Sequence, residues 1–159
     1  MTTLTHLDAQ GNAHMVDVSD KAVTSRTATA HGVLRCRAET VTLVRDDNAP
    51  KGAVISTAEL AGIMAAKQTA SLIPLCHPLP LSKVAVRIAV DESLPGFIVT
   101  SEVKTNGVTG VEMEALTAVS VACLTLFDML KTVDRDMIIG GVEVTSKTGG
   151  KSGSWKQND

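Results

Sequence analysis

The chain has 159 residues with 15 basic and 17 acidic side chains, a balance that excludes broad electrostatic attraction to nucleic acid or to an anionic membrane. Apolar residues make up 44%, yet there are only one Trp, two Phe and no Tyr, so the core is aliphatic and no base-stacking platform for nucleic acid is expected. The three cysteines, Cys36, Cys76 and Cys123, are far apart and odd in number. They indicate neither a zinc cage nor a disulfide framework, and they point to a reducing, cytoplasmic setting.

This length buries about 70% of the unfolded surface as a single domain, and no Pro/Gly-rich linker divides it. No apolar run approaches membrane-spanning length without a polar interruption, and the N-terminus has neither a basic n-region nor an apolar h-region, so a soluble, non-exported protein is expected. Residues 1–13 are polar and aperiodic, an expected mobile arm, and the domain proper is residues 14–159. HMVDVSDK reads as a short extended piece, and AHGVLRCRA alternates as a strand does. ETVTLVRDD fits either a short helix or a second strand. DDNAPKG is turn chemistry around Lys51.

From Val54 to Thr69 small and aliphatic residues recur at helical spacing, with Ser56 or Thr57 as candidate N-cap. Ala58, Ala61, Gly62 and Ala65 allow close approach to a neighbouring element. Pro74, Pro78 and Pro80 then force a stiff extended path through Cys76 and His77, which suits a ligand contact or proton transfer and equally suits a packed histidine. SKVAVRIAV and LPGFIVTSEVKT predict a hairpin across DESLPG. The glycines of NGVTG permit backbone amides to approach an anion at the start of the next helix.

That helix, GVEMEALTAVSVACLTLFDMLKT over Gly110–Thr132, opens the longest run without Gly or Pro and is almost wholly apolar. Glu114, Thr117, Thr125, Asp128 and Lys131 fall within about 120° of one another on a 3.6-residue wheel. Such a stripe is either an exposed edge or a site, since burying charge is costly unless it is paired or used. MIIGGVEVTSK predicts a last strand. The order strand, helix, strand, strand, helix, strand predicts an α+β fold, the ferredoxin-like βαββαβ sandwich with an antiparallel sheet and an N-terminal addition. Its second sheet face is expected to be covered by another subunit. SKTGGKSGSW contains GKS but is no phosphate loop, because the required Gly five positions before Gly150 is Thr145. It reads as a flexible Gly/Lys-rich tail from about residue 147, with Lys147 and Lys151 able to close over an anion.

Four strings, MVDVSDK (15–21), LIPLCHPLPLSKV (72–84), GVEMEALTAVSVACLTLFDMLK (110–131) and KTGGKSG (147–153), closely resemble the cyclic pyranopterin monophosphate synthase family, MoaC, of molybdenum-cofactor biosynthesis. The resemblance implies a lyase that converts cyclised dihydro-GTP (3',8-cyclo-7,8-dihydro-GTP) into cyclic pyranopterin monophosphate with release of pyrophosphate. It implies Asp128, Lys131 and Lys51 as catalytic residues, and Leu75, Cys76, His77, Glu112, Met113, Glu114, Lys147 and Lys151 as substrate contacts. It further implies a ferredoxin-like domain assembled as a hexamer, a trimer of dimers. The family usually carries Lys or Arg just before TGVEME, where this chain has Val108; Lys104 and Lys151 are the candidates to replace that cation.

The chemistry agrees with these residues. Lysines and backbone amides neutralise a triphosphate, and a carboxylate beside a lysine moves protons during ring opening and closure. No protein-held cofactor or metal is expected, with Mg²⁺ on the substrate's phosphates left open. Glu114 and Asp128 are 14 residues apart, about 21 Å along one helix, so a shared active site is expected to lie between subunits.

Overall fold

The computed structural model describes residues 5–158. The first four residues of the expected arm, and Asp159 at the end of the tail, lie outside the described residues. The elements are β1 (Thr24–Arg35), α1 (Ala38–Arg45), α2 (Val54–Ala66), α3 (Thr69–Leu72), β2 (Leu81–Asp91), β3 (Gly96–Gly107), α4 (Glu112–Leu130), β4 (Ile138–Thr148) and β5 (Trp155–Lys156). They form an α+β fold around one five-stranded sheet in the order β2-β3-β1-β4-β5, with every neighbouring pair antiparallel.

The central strand β1 begins at Thr24, six residues before the predicted start, because β-branched Thr24, Thr27 and Thr29 make a polar segment that still suits a pleated surface. Its alternation sends Ala28, Ala30 and Leu34 inward, all at most 1% exposed, and leaves Thr29, His31 and Val33 on the opposite face. On the core side they meet Phe97, Val99 and Val103 of β3, Val86 of β2, and the buried face of α4. The predicted hairpin is β2–β3, in register from Val84↔Val103 to Asp91↔Gly96. ETVTLVRDD resolves as helix: α1 buries Thr40 and Val41 on one side only, a spacing a strand would not give.

α2 and α4 lie together on one face of the sheet, and small residues let them approach closely. A Cβ added at Gly62 would come 2.8 Å from the backbone oxygen of Ala118 and 3.2 Å from Ala122 Cβ, and one added at Gly32 would come 2.5 Å from Val119 Cγ1. The predicted N-cap of α2 is corrected. The helix starts at Val54, its N-cap is Ala53 and no side chain caps it. The reason is the turn before it, in which Gly52 (φ 82°) donates to Ala49 O and delivers the chain into the helix before Ser56, while Val54 is already buried. α4 occupies the inner part of the predicted 110–132 segment. Its length and apolarity alone would suit a membrane span, but half of it is buried inside the molecule, as in a core helix.

The Gly/Lys-rich tail turns back on the sheet. Gly149, Gly150 and Gly153 all have positive φ, and the turn they make sets Trp155 opposite Lys147 in a short hairpin. Near the other terminus, Leu7 bridges to Ala13 around a turn in which Asp8 Oδ1 accepts the amides of Gln10 and Asn12.

Candidate active site

The two ends of α4 carry two separate groups of polar side chains. At its C-terminal end Asp128 is clamped between lysines. Lys131 Nζ lies 2.6 Å from Asp128 Oδ1, one turn along the helix, and Lys51 Nζ lies 3.1 Å from Oδ2. Lys51 also donates to the backbone oxygen of Asp128 at 2.8 Å. All three side chains are open to solvent, between 39% and 58% exposed, so a ligand can reach them. Hydrogen bonds from Lys131, then from Lys51, with their positive charges, hold the Asp128 carboxyl below its ordinary range. A carboxylate so placed is ionised and ready to accept a proton, with two ammonium groups beside it to stabilise developing negative charge.

At the N-terminal end a cavity of about 650 Å³ is lined by Leu75, Cys76, His77, Glu112, Met113 and Glu114, among others. Glu114 is 4% exposed, and burial pushes its carboxyl above the usual range, with neighbouring Glu112 adding to the effect. Burial likewise raises the Cys76 thiol, helped by Glu114. Lys147 reaches across from β4 to pair with Glu112 Oε1 at 2.9 Å. The Glu112 carboxylate folds over Gly110, where an added Cβ would lie 2.0 Å from Oε2. The helix start that the glycines of NGVTG were expected to offer to an anion therefore already faces this chain's own carboxylate. The Pro-stiffened segment aims His77 at the chain before β1, where its Nε2 lies 2.8 Å from Val16 O.

The polar stripe is thus tolerated for two reasons. Its middle members donate back to the helix, Thr117 Oγ1 to Met113 O at 2.7 Å and Thr125 Oγ1 to Val121 O at 2.8 Å. Its charged members sit at the helix ends, one in the cavity and two in solvent. Of the residues singled out in the sequence, Lys51, Asp128 and Lys131 come together, and so do Leu75, Cys76, His77, Glu112, Met113 and Glu114 with Lys147 beside them. Lys151 lies apart, exposed in the turn after β4. Lys104 is drawn to the open sheet face, 3.6 Å from Glu102, and does not line the cavity.

Two cations escaped the sequence reading. Lys21 lines the cavity, and Arg26 lies against Gly149 and Gly150 with its Nε 2.9 Å from Gly107 O. Lys21 closes the MVDVSDK string, but nothing in its spacing says that Val16, Val18 and Lys21 all line the cavity. Among the described residues no group of three or more His, Cys, Asp or Glu side chains forms a metal cage.

Residues 15–150 match the MoaC family. Over 155 residues the chain is 61% identical to a cyclic pyranopterin monophosphate synthase of Methylobacterium sp. (strain 4-46), covering 98% of this chain and 97% of that protein. It is 58% identical over 156 residues to proteins of the same name from Cereibacter sphaeroides (strain ATCC 17029 / ATH 2.4.9) and Brucella ovis, covering 98% of this chain and 98% and 94% of those proteins. With the match running through both ends of α4 and across nearly all of every chain compared, the protein belongs to the MoaC family.

Proposed function

We propose that this chain is a cyclic pyranopterin monophosphate synthase, a phosphorus–oxygen lyase of molybdenum-cofactor biosynthesis. It takes 3',8-cyclo-7,8-dihydro-GTP to cyclic pyranopterin monophosphate and pyrophosphate. The observation that carries the mechanism is the Asp128 carboxylate held between Lys51 and Lys131. Asp128 moves protons as the purine-derived rings open and close. As the cyclic phosphate forms, the bond between the α- and β-phosphates breaks, and lysine charge stabilises the departing pyrophosphate. Leu75, Cys76, His77, Glu112, Met113, Glu114, Lys147 and Lys151 contact the substrate, and Lys21 and Arg26 add to the positive charge on that side. The protein holds no cofactor of its own; any Mg²⁺ arrives on the substrate's phosphates.

The two residue groups lie about 21 Å apart along α4, too far for one small substrate to touch both in one chain. The reading is therefore a homo-oligomer with intersubunit active sites, a hexamer built as a trimer of dimers. Leu60 and Met64, one turn apart on α2, and Leu124 on α4 support it, since each is 57% or 58% exposed although apolar. The fold is read as ferredoxin-like, supported by the order β4-β1-β3-β2 with α2 and α4 in the two crossovers. Three free cysteines support a cytoplasmic setting for this single catalytic domain.

The test is product analysis with 3',8-cyclo-7,8-dihydro-GTP. Wild type releases pyrophosphate and the cyclic product, and Asp128→Ala does not. Equal conversion by both would remove Asp128 from the mechanism. A melting shift with GTP analogues but no product from wild type would make the chain a binding protein instead.

A further inference from the structure

We propose that Asp134, which lies outside both residue groups, is a positioning residue that ties the end of α4 to the start of α1 and so sets the approach of Lys51 to Asp128. This rests on the reading of Lys51, Asp128 and Lys131 as the catalytic unit.

Asp134 is 1% exposed and its carboxylate is fully engaged. Oδ2 accepts the Arg37 amide at 2.8 Å and the Thr40 hydroxyl at 3.0 Å, and Oδ1 accepts the Asp136 amide at 3.2 Å. The Arg37 guanidinium lies 3.6 Å from Oδ2 at Nε and also donates to Val133 O. Arg37 is the N-cap of α1 and makes no capping bond with its own side chain. A carboxylate from 97 residues away therefore sits at the helix start, where the dipole favours negative charge.

Both active arms hang from this junction. On one side, Asp134 N donates to Leu130 O at 3.0 Å, only two residues beyond Asp128. On the other, the turn that carries Lys51 is fastened to α1: Asp46 N, Asn48 N and Asp47 N donate to Thr42 O, Leu43 O and Val44 O, and Gly52 N closes on Ala49 O. The ring is completed by Lys51 Nζ on Asp128. That last link is solvent-exposed and holds a long side chain, so its geometry depends on the backbone beneath it. A purely structural Asp134 would only hold down α1, which Val41 already anchors in the core.

The test follows the Asp128 carboxyl by ¹³C NMR titration, alongside steady-state kinetics, in the full-length enzyme and in Asp134→Asn. Lys131, just past the end of α4, and Lys51 of the turn are the charged groups facing Asp128. Asp134→Asn is expected to move the Asp128 midpoint upward toward its value in Lys51→Ala, and to lower kcat about tenfold or more with KM little changed. In a Lys51→Ala background it should move the midpoint no further. Thr40→Val, which removes one donor to Oδ2, should give the same shift in smaller measure and serves if Asp134→Asn fails to fold. An unchanged Asp128 midpoint in a folded variant, or a shift that adds fully to that of Lys51→Ala, overturns the proposal. A wild type that makes no product would instead defeat the catalytic reading, and the NMR arm would still decide the role of Asp134.

Discussion

Lys51 touches Asp128 twice, through the carboxylate at 3.1 Å and the backbone oxygen at 2.8 Å, although 77 residues separate them in the chain. The lysine thus reads the position of the helix as well as its charge. Asp128 has its carboxyl depressed by Lys131 first and Lys51 second, so its ionised form persists until the pH falls through that low value. Removing either lysine raises the value, and the acid limb of the rate profile should move to higher pH, further for Lys131→Ala than for Lys51→Ala. Rate against pH for the three proteins checks this, and coincident acid limbs would refute it.

Asp128→Ala should separate activity from stability. The carboxylate and both lysines are exposed, and exposed ion pairs contribute little to folding. The variant should melt close to wild type while losing about a hundredfold or more in rate. A collapse in melting temperature matching the loss of activity would show a structural role instead.

Glu114 predicts a pH-dependent stability. Burial raises its folded value above the ordinary one near 4.5, so the folded state prefers the neutral acid. The stability this group contributes is complete below about 4.5 and is lost as pH rises through the raised value. Glu114→Gln should therefore melt higher than wild type at neutral pH, with the difference closing in acid. Calorimetry across that range measures it, and a constant offset at all pH would contradict it.

Gly62→Ala tests the close approach of α2 and α4. The new methyl would meet a backbone oxygen at 2.8 Å, which cannot swing aside as a side chain can. The expected loss is about 1–3 kcal/mol, read from chemical denaturation, with the α-helical content unchanged.

Subunit mixing tests the shared site. Asp128→Ala and Glu114→Ala chains, each inactive alone, should regain part of the wild-type rate when mixed oligomers form, because one interface then holds an intact Asp128 and an intact Glu114. Verified mixed oligomers with no recovery would place both residues in sites that are not shared.

Much of the architecture was legible in the residues because it follows from local periodicity. The β2–β3 hairpin, the two helices built on small and aliphatic residues, and the last strand all answer to spacings of 2 or 3.6. The ambiguous ETVTLVRDD was not, since nine residues support either period until burial of Thr40 and Val41 chooses one. The early start of β1 and the backbone-only cap of α2 were hidden for a related reason: both depend on what the neighbouring segment does, not on the residues themselves.

The candidate site divides in the same way. Local spacing was enough to pick out the Asp128/Lys131 pair one helical turn apart and the stiff path through His77, because short spacing and proline stereochemistry act within a few residues. It took the folded chain to show that Lys51 joins Asp128, that Lys147 neutralises Glu112, that Lys21 lines the cavity, and that Asp134 binds the Arg37 amide and the Thr40 hydroxyl at the start of α1. These contacts span long stretches of chain, and they exist because antiparallel strands and packed helices return distant segments to one place.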